Sequence, residues 1–390
     1  IMWGWVLAVI LLGTGLLYGI TMGFPQVRCF GHIIRSLKST LKSDEGSVSG
    51  FAALCAAVGG QVGTGSLVGV ASALAAGGPG ALFWMWITAV FGMVLSFGEA
   101  TLGQVFHEKD KDGNYYGGSP YYMTKGLGNK PLAIAYAITT IFAVGVCIAM
   151  LQNNSITSAV TGVVNISPWI PGIIVTIITA VIVLGGVKRI TDAASLIVPF
   201  MAVGYILITI IIIITHLSEV PAMFGTFMTT IIICSCTGFA ILLTGALESG
   251  QDGVNLVQAA FSSMLGQVGS YFVLLVTFLF CFTTLIADLF YGEVGVRYLF
   301  KGSANGADKA VKVFQVIALI LVTIGAALPL PVLWDLVDFC VAFLVFFNVY
   351  ALLRLRKYVK YVLDDYLMQF NSGKSEPVWD ESVDITEKCK

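Results

Sequence analysis

Long apolar stretches divided by short polar ones run along almost the whole chain. They lie at 1–21, 51–76, 81–106, 132–162, 168–187, 191–216, 226–247, 269–290, 310–328 and 331–353. Each is near the roughly 20 residues that cross about 30 Å of hydrocarbon as a helix, so the pattern predicts ten spans. The punctuation is compact: a basic segment from Arg28 to Lys42, then "HEKDKDGNYYGGSP", "NISPWIP", "ESGQDG" and "KGSANGADK". The first run lacks a basic leader and a small-residue cleavage site, and reads as a retained span. The polar end, "NSGKSEPVWDESVDITEKCK", reads as unstructured.

Composition agrees with that pattern. Hydrophobic residues make up 57% and charged residues 11% of the 390, and mean hydropathy is +0.90, which together indicate an all-α polytopic membrane protein. A formal net charge of −1 offers no basic footprint for nucleic acid. The eight cysteines fall mostly inside apolar runs without CxxC pairing, so they read as packing residues. Three histidines, His32, His107 and His216, sit at span edges, and no nucleophile with its base stands out, which leaves an enzyme reading little support.

Lysine and arginine are retained on the cytoplasmic side of short loops. All 21 fall in 22–50, 107–131, 188–189, 297–312 and from 354 onward, whereas 77–80, 163–167, 217–225, 248–268 and 329–330 have none. With the N-terminus outside, the first three basic segments fall inside. Then the parity fails: Arg297, Lys301, Lys309, Lys312 and the tail land outside, unless one further crossing lies between about 217 and 226.

The candidate chemistry centres on "VGGQVGTGSLVGV", Val58 to Val70, with glycines at 59, 60, 63, 65 and 69 in the middle of a predicted span. Two readings stand. Gly59/Gly63 and Gly65/Gly69 are four-apart pairs of the kind that let membrane helices pack closely. Alternatively, Gly63-Thr64-Gly65 unwinds at mid-bilayer, where bare N–H groups suit a carboxylate and freed carbonyls suit a small cation. Gln152 and Asn153, in "LQNNS", are either interhelical glue or a ligand contact. Thr283 and Thr284 either bond back to their own helix or offer oxygens to sodium. Glu99, Asp288, Asp335 and Asp338 are acids within or at the ends of spans, which makes them functional candidates.

The stretch 50–93, "GFAALCAAVGGQVGTGSLVGVASALAAGGPGALFWMWITAVFGM", resembles the signature region of the alanine or glycine:cation symporter family, and "FGEATLG", "YYGGSPYYMTKGLG", "LQNNSI" and "GGVKRI" follow in family order. The resemblance implies a leucine-transporter-like inverted repeat: a peripheral helix (1–22), a cytoplasmic linker (23–50), a first five-helix repeat (51–225), a second repeat (226–355) and a cytoplasmic tail (356–390). It implies a multi-pass protein of the cell membrane that imports a small neutral amino acid, alanine or glycine, with sodium or protons as coupling ion and no other cofactor. Carried over by position, Thr64, Gly65, Ser66 and Gln152 would meet the substrate, with Trp334 on its outer side. Gly59 and Val62, through their carbonyls, and Thr283 and Thr284 would hold sodium.

Departures from the family pattern are specific. Between Phe224 and Thr226 the family carries a "GLFSNEAGLGS"-like second broken helix that this chain lacks, so its second repeat has four spans instead of five. Serine at 66 stands where asparagine is usual, and "ADLFYGE" where "GWSYYGE" is usual. The alternative function is a non-transporting membrane homologue with a binding or scaffold role.

Overall fold

The computed structural model describes residues 5–33, 50–109, 115–215, 229–302, 304–374, 379–380, 383 and 385–388. Helices α1 (Trp5–Met22), α2 (Gly50–Gln61), α3 (Gly65–Gly77) and α4 (Gly80–Val105) open the chain. A short helix α5 (Ser119–Lys125) precedes α6 (Lys130–Thr161), α7 (Trp169–Val183) and α8 (Val187–Thr215). Beyond the next undescribed segment come α9 (Thr229–Leu243), α10 (Gly253–Leu265), α11 (Gln267–Leu299), α12 (Ala304–Gly325) and α13 (Leu330–Asn371). Glu108–Lys109 and Tyr115–Tyr116 form a two-stranded ribbon. The protein is all-α and membrane-embedded. Among the described residues five helices are long and apolar enough to cross a membrane, and α2 with α3 makes a sixth if the bent pair is one span.

Local sequence places the breaks. Gly78, at φ +62°, ends α3 in a conformation that disfavours a side chain, and Pro79 then starts α4. Asn129 caps α6 by accepting from the Leu132 N–H at 3.0 Å, with Pro131 in the first turn. Asp252 caps α10 and also accepts from the Ser72 hydroxyl at 2.9 Å, tying α10 to α3.

Helix α11 is the central post. Of its apolar stretch 72% is buried, against 17% for α4, which faces outward. Glycines allow its close contact with α6: a Cβ on Gly145 would lie 2.9 Å from the Gly292 backbone and 2.8 Å from the Phe314 ring.

Helix directions answer the charge problem. Helices α4 and α11 end together, since Lys301 pairs with Glu108 at 3.3 Å and Lys125 with the same carboxylate at 3.5 Å. The 297–312 segment therefore shares a face with 107–131. Helix α9 runs opposite to α4, with Ser235 accepting from the Trp86 indole at 2.8 Å and Gly238 lying against Leu82. Helix α8 begins beside Phe290 and Tyr291 near the end of α11, and Tyr205 further along stacks on Phe272 near its start. Successive helices α8 and α9 thus run in the same direction, as a further crossing between them would require. The 217–226 region, where the charge pattern asks for that crossing, itself lies outside the described residues. His216 and most of the 23–50 linker lie outside them too.

Three expectations change. The 248–268 stretch contains a helix, α10, which is amphipathic and so escapes a search for apolar runs. The helix that holds the last predicted span does not stop near 353 but continues without a break to Asn371. The end of the chain is not featureless, because Trp379 meets Tyr361 edge-on and Ile385 is buried against α13 and its neighbours.

Candidate functional site

The glycine-rich helix is broken. Leu54–Gln61 and Gly65–Gly77 meet at 44°, with irregular backbone at Val62 and Gly63 and a wide, π-type turn from Gly65 to Gly69. None of these glycines has positive φ. Close approach explains Gly59 and Gly63: a Cβ on Gly59 would lie 2.9 Å from Val198 and 3.3 Å from Thr283, and one on Gly63 would lie 2.5 Å from the Thr284 hydroxyl. Gly65 differs, being exposed, with nothing within 4 Å of its would-be Cβ among the described residues. The packing seam and the break thus coexist, at successive turns of one segment.

A buried polar cluster surrounds the break. Thr64 is fully buried; its N–H donates to Gln152 Oε1 at 2.9 Å and its hydroxyl to the same oxygen at 2.7 Å. Ser155 Oγ and Cys281 Sγ lie 3.1 and 3.3 Å from that hydroxyl. A backbone N–H can only donate, so Gln152 must present its oxygen to Thr64, which leaves its amide NH2 for the neighbouring Asp288 side. Asp288 is 3% exposed, and its Oδ2 has no partner. On α11, Cys281, Thr284 and Asp288 fall three and four residues apart, hence on one face. Thr284 donates to the Gly59 carbonyl at 2.8 Å and to its own helix at Phe280.

The structure brings Thr64, Gln152, Gly59 and Thr284 together. Val62 is buried at the bend itself. Thr283 is adjacent but bonds back to Leu279 and Phe280 and touches the Met201 sulfur at 3.8 Å. Ser66 is directed to α9, its side chain near Cys234 and its carbonyl accepting from the Thr237 hydroxyl at 2.9 Å. Trp334 is half-buried; its ring lies 3.9 Å from the would-be Cβ of Gly69, and its indole N–H is unpartnered. A largely apolar cavity of about 200 Å³ adjoins the break on the other side, between α2, α8 and α11, where Ala56, Thr191, Thr283, Ala287 and Tyr291 line it.

"LQNNS" divides its labour. Gln152 serves the break, whereas Asn153 donates to Gly172 and Val322 and Asn154 to Gly325 and Leu328, joining α6 to α7 and α12. Glu99 is far from the break, bonded to Asn348, which also receives the Tyr122 hydroxyl. Asp335 is exposed and Asp338 half-buried at the start of α13. Sequence reasoning did not place Ser155, Cys281 or Asp288 at the break. Their spacing from Gln152 and Thr284 carried that signal, because residues three or four apart on a helix share a face.

Comparison with known proteins gives a consistent set. The model of the sodium:alanine symporter family matches residues 1–226 and 221–381. A Bacillus subtilis protein named as a sodium/proton-dependent alanine carrier, YrbD, is 32% identical, the alignment taking in 97% of this chain and 93% of the relative. The sodium/alanine symporter AgcS of Methanococcus maripaludis is 30% identical over 86% of this chain and 88% of its own length. A second B. subtilis relative, named as a sodium/glutamine symporter, GlnT, is 29% identical over 98% and 92%. The family match divides at 221–226, and the YrbD alignment needs 455 positions for a 390-residue chain, so some tens of positions in that relative face no residue here.

Proposed function

The chain belongs to the sodium:alanine symporter family, and on that basis we propose that it imports a small neutral amino acid, alanine or glycine, across the cell membrane with sodium by alternating access. The observation that carries this reading is the 44° break whose Thr64 N–H, fully buried, is satisfied by a side chain from another helix instead of by its own. Such groups at membrane depth persist only inside protein or beside a cavity, and they suit a carboxylate. Thr64, Gly65 and Ser66 would meet the substrate through backbone N–H groups, with Gln152 beside them and Trp334 as the outer boundary. Sodium would sit among the carbonyls of Gly59 and Val62 and the hydroxyls of Thr283 and Thr284, where Thr284 already reaches Gly59.

A cation bound there adds positive charge next to the substrate carboxylate and favours the bent backbone. Its entry down a gradient contributes about 2.3 kcal/mol per charge per 100 mV, enough to concentrate a neutral zwitterion many-fold. A proton is the alternative coupling ion. The N-terminus lies outside and the basic segments and C-terminal tail lie in the cytoplasm, so that 51–225 forms a first repeat and 226–355 an incomplete second one. Uptake of labelled alanine into proteoliposomes, with an inward sodium gradient against a choline control, tests this. Sodium-dependent accumulation is expected; its absence from correctly oriented protein overturns transport.

A second reading has an observation of its own. The divided family match and the space left beside Gly65 by the described residues favour a homologue that binds but does not carry. That reading expects sodium-dependent alanine binding in detergent without accumulation in vesicles.

A further inference from the structure

Asp288 is a carboxylate in the wrong place for a structural residue. It is 3% exposed in the middle of α11, one oxygen has no partner, and no described lysine, arginine or histidine pairs with it. The polar side chain beside it is Gln152. A buried anion without a cation is strongly unfavourable unless a ligand or a proton supplies the missing charge.

The polarity of Gln152 indicates what belongs there. Its amide is stretched between a donor and an acceptor, with the oxygen facing the Thr64 N–H and hydroxyl and the nitrogen facing the Asp288 carboxylate. An α-amino acid has the same polarity over a comparable length: an acceptor carboxylate at one end and a donor ammonium on the adjacent carbon. We infer that Asp288 is the ammonium-binding residue of the amino-acid site, and that the substrate takes over the two partners, Thr64 and Asp288, which the Gln152 amide bridges. This deepens the transport-site reading and rests on it. The site therefore selects for an ammonium group, and α11 supplies a wall of the pocket as well as hydroxyls for sodium.

The test is ligand binding to the purified full chain in detergent, with L-alanine and L-lactate, which differ by ammonium against hydroxyl. The wild type is expected to prefer alanine. Asp288→Asn keeps the shape and an acceptor for Gln152 but not the charge. It is expected to weaken alanine binding by about 30-fold or more, while lactate moves by less than about threefold. If Asp288→Asn cannot be recovered folded, the smaller Asp288→Ser is read in the same way. An unchanged alanine-to-lactate ratio in either Asp288 variant overturns the assignment, as does a wild type that binds the two equally. Binding that discriminates, combined with no sodium-driven uptake, sinks transport alone and leaves Asp288 in its role.

Discussion

Gly63 and Gly65 are two residues apart, yet the structure gives them opposite tolerances. A methyl group at Gly63 would sit 2.5 Å from Thr284 Oγ1 and 2.8 Å from both Thr284 Cβ and Gln152 Oε1. None of these atoms can move freely: the hydroxyl is held to Gly59 at 2.8 Å, and the glutamine oxygen to Thr64 at 2.9 and 2.7 Å. Gly63→Ala thus forces α2 and α11 apart or breaks hydrogen bonds among buried groups, a cost of about 1–3 kcal/mol for overpacking. Gly65→Ala meets open space among the described residues, at a φ that alanine accepts, and its stability should change by less than about 1 kcal/mol in either direction. Because membrane proteins commonly unfold irreversibly, the assay is the half-life of monodisperse protein in detergent at a fixed temperature. If the cost falls wholly on the native state, Gly63→Ala shortens that half-life by about 5- to 150-fold, and Gly65→Ala leaves it within about fivefold. A Gly63→Ala variant as durable as the wild type, or a Gly65→Ala variant that is worse, refutes this packing of α2 against α11.

Other outcomes follow from single contacts. Asn154→Ala strips the donor from the Gly325 and Leu328 carbonyls, bonded at 3.0 and 2.8 Å; it should destabilise by about 1–3 kcal/mol without altering sodium dependence, as thermal inactivation and uptake together would reveal. Thr284→Ala removes the hydroxyl that reaches Gly59 and should raise the sodium concentration for half-maximal uptake at least tenfold, by about 1.4 kcal/mol or more, with an unchanged value as the contrary result. Lys301→Cys, in a background free of other cysteines, should resist an impermeant label in intact cells and react after permeabilisation, because its partner Glu108 belongs to a basic segment. Labelling from outside would contradict the sidedness.

The helices were legible because membrane spans advertise themselves by length and apolarity, and the break because glycines at mid-span have few uses. The resemblance placed Thr64 beside Gln152, and the structure does bring them together. Amphipathic α10 was not legible, since its buried face is interrupted by polar residues. Nor was the end of the chain, where Trp379 and Ile385 are anchored by partners far away in sequence. Asp288 stood out as an intramembrane acid, but its connection to Thr64 passes through a side chain on α6. Three helices must pack before that connection exists; the four-residue spacing from Thr284 tells only that the two share a face of α11. The direction of Ser66 was hidden for the same reason, because it is set by Cys234 and Thr237 on α9.

Transport as proposed requires the bent backbone around residue 64 to receive an amino acid in the presence of sodium. Gly69→Cys, one turn beyond the break and at ordinary contact distance from the Thr64 carbonyl and the Trp334 ring, reports on that spot. Its rate of modification by a thiol reagent, measured in a cysteine-free background, should fall when alanine and sodium are both present and stay unchanged with alanine in choline. A rate indifferent to alanine in sodium, from protein shown to be folded, would contradict a substrate site at the break.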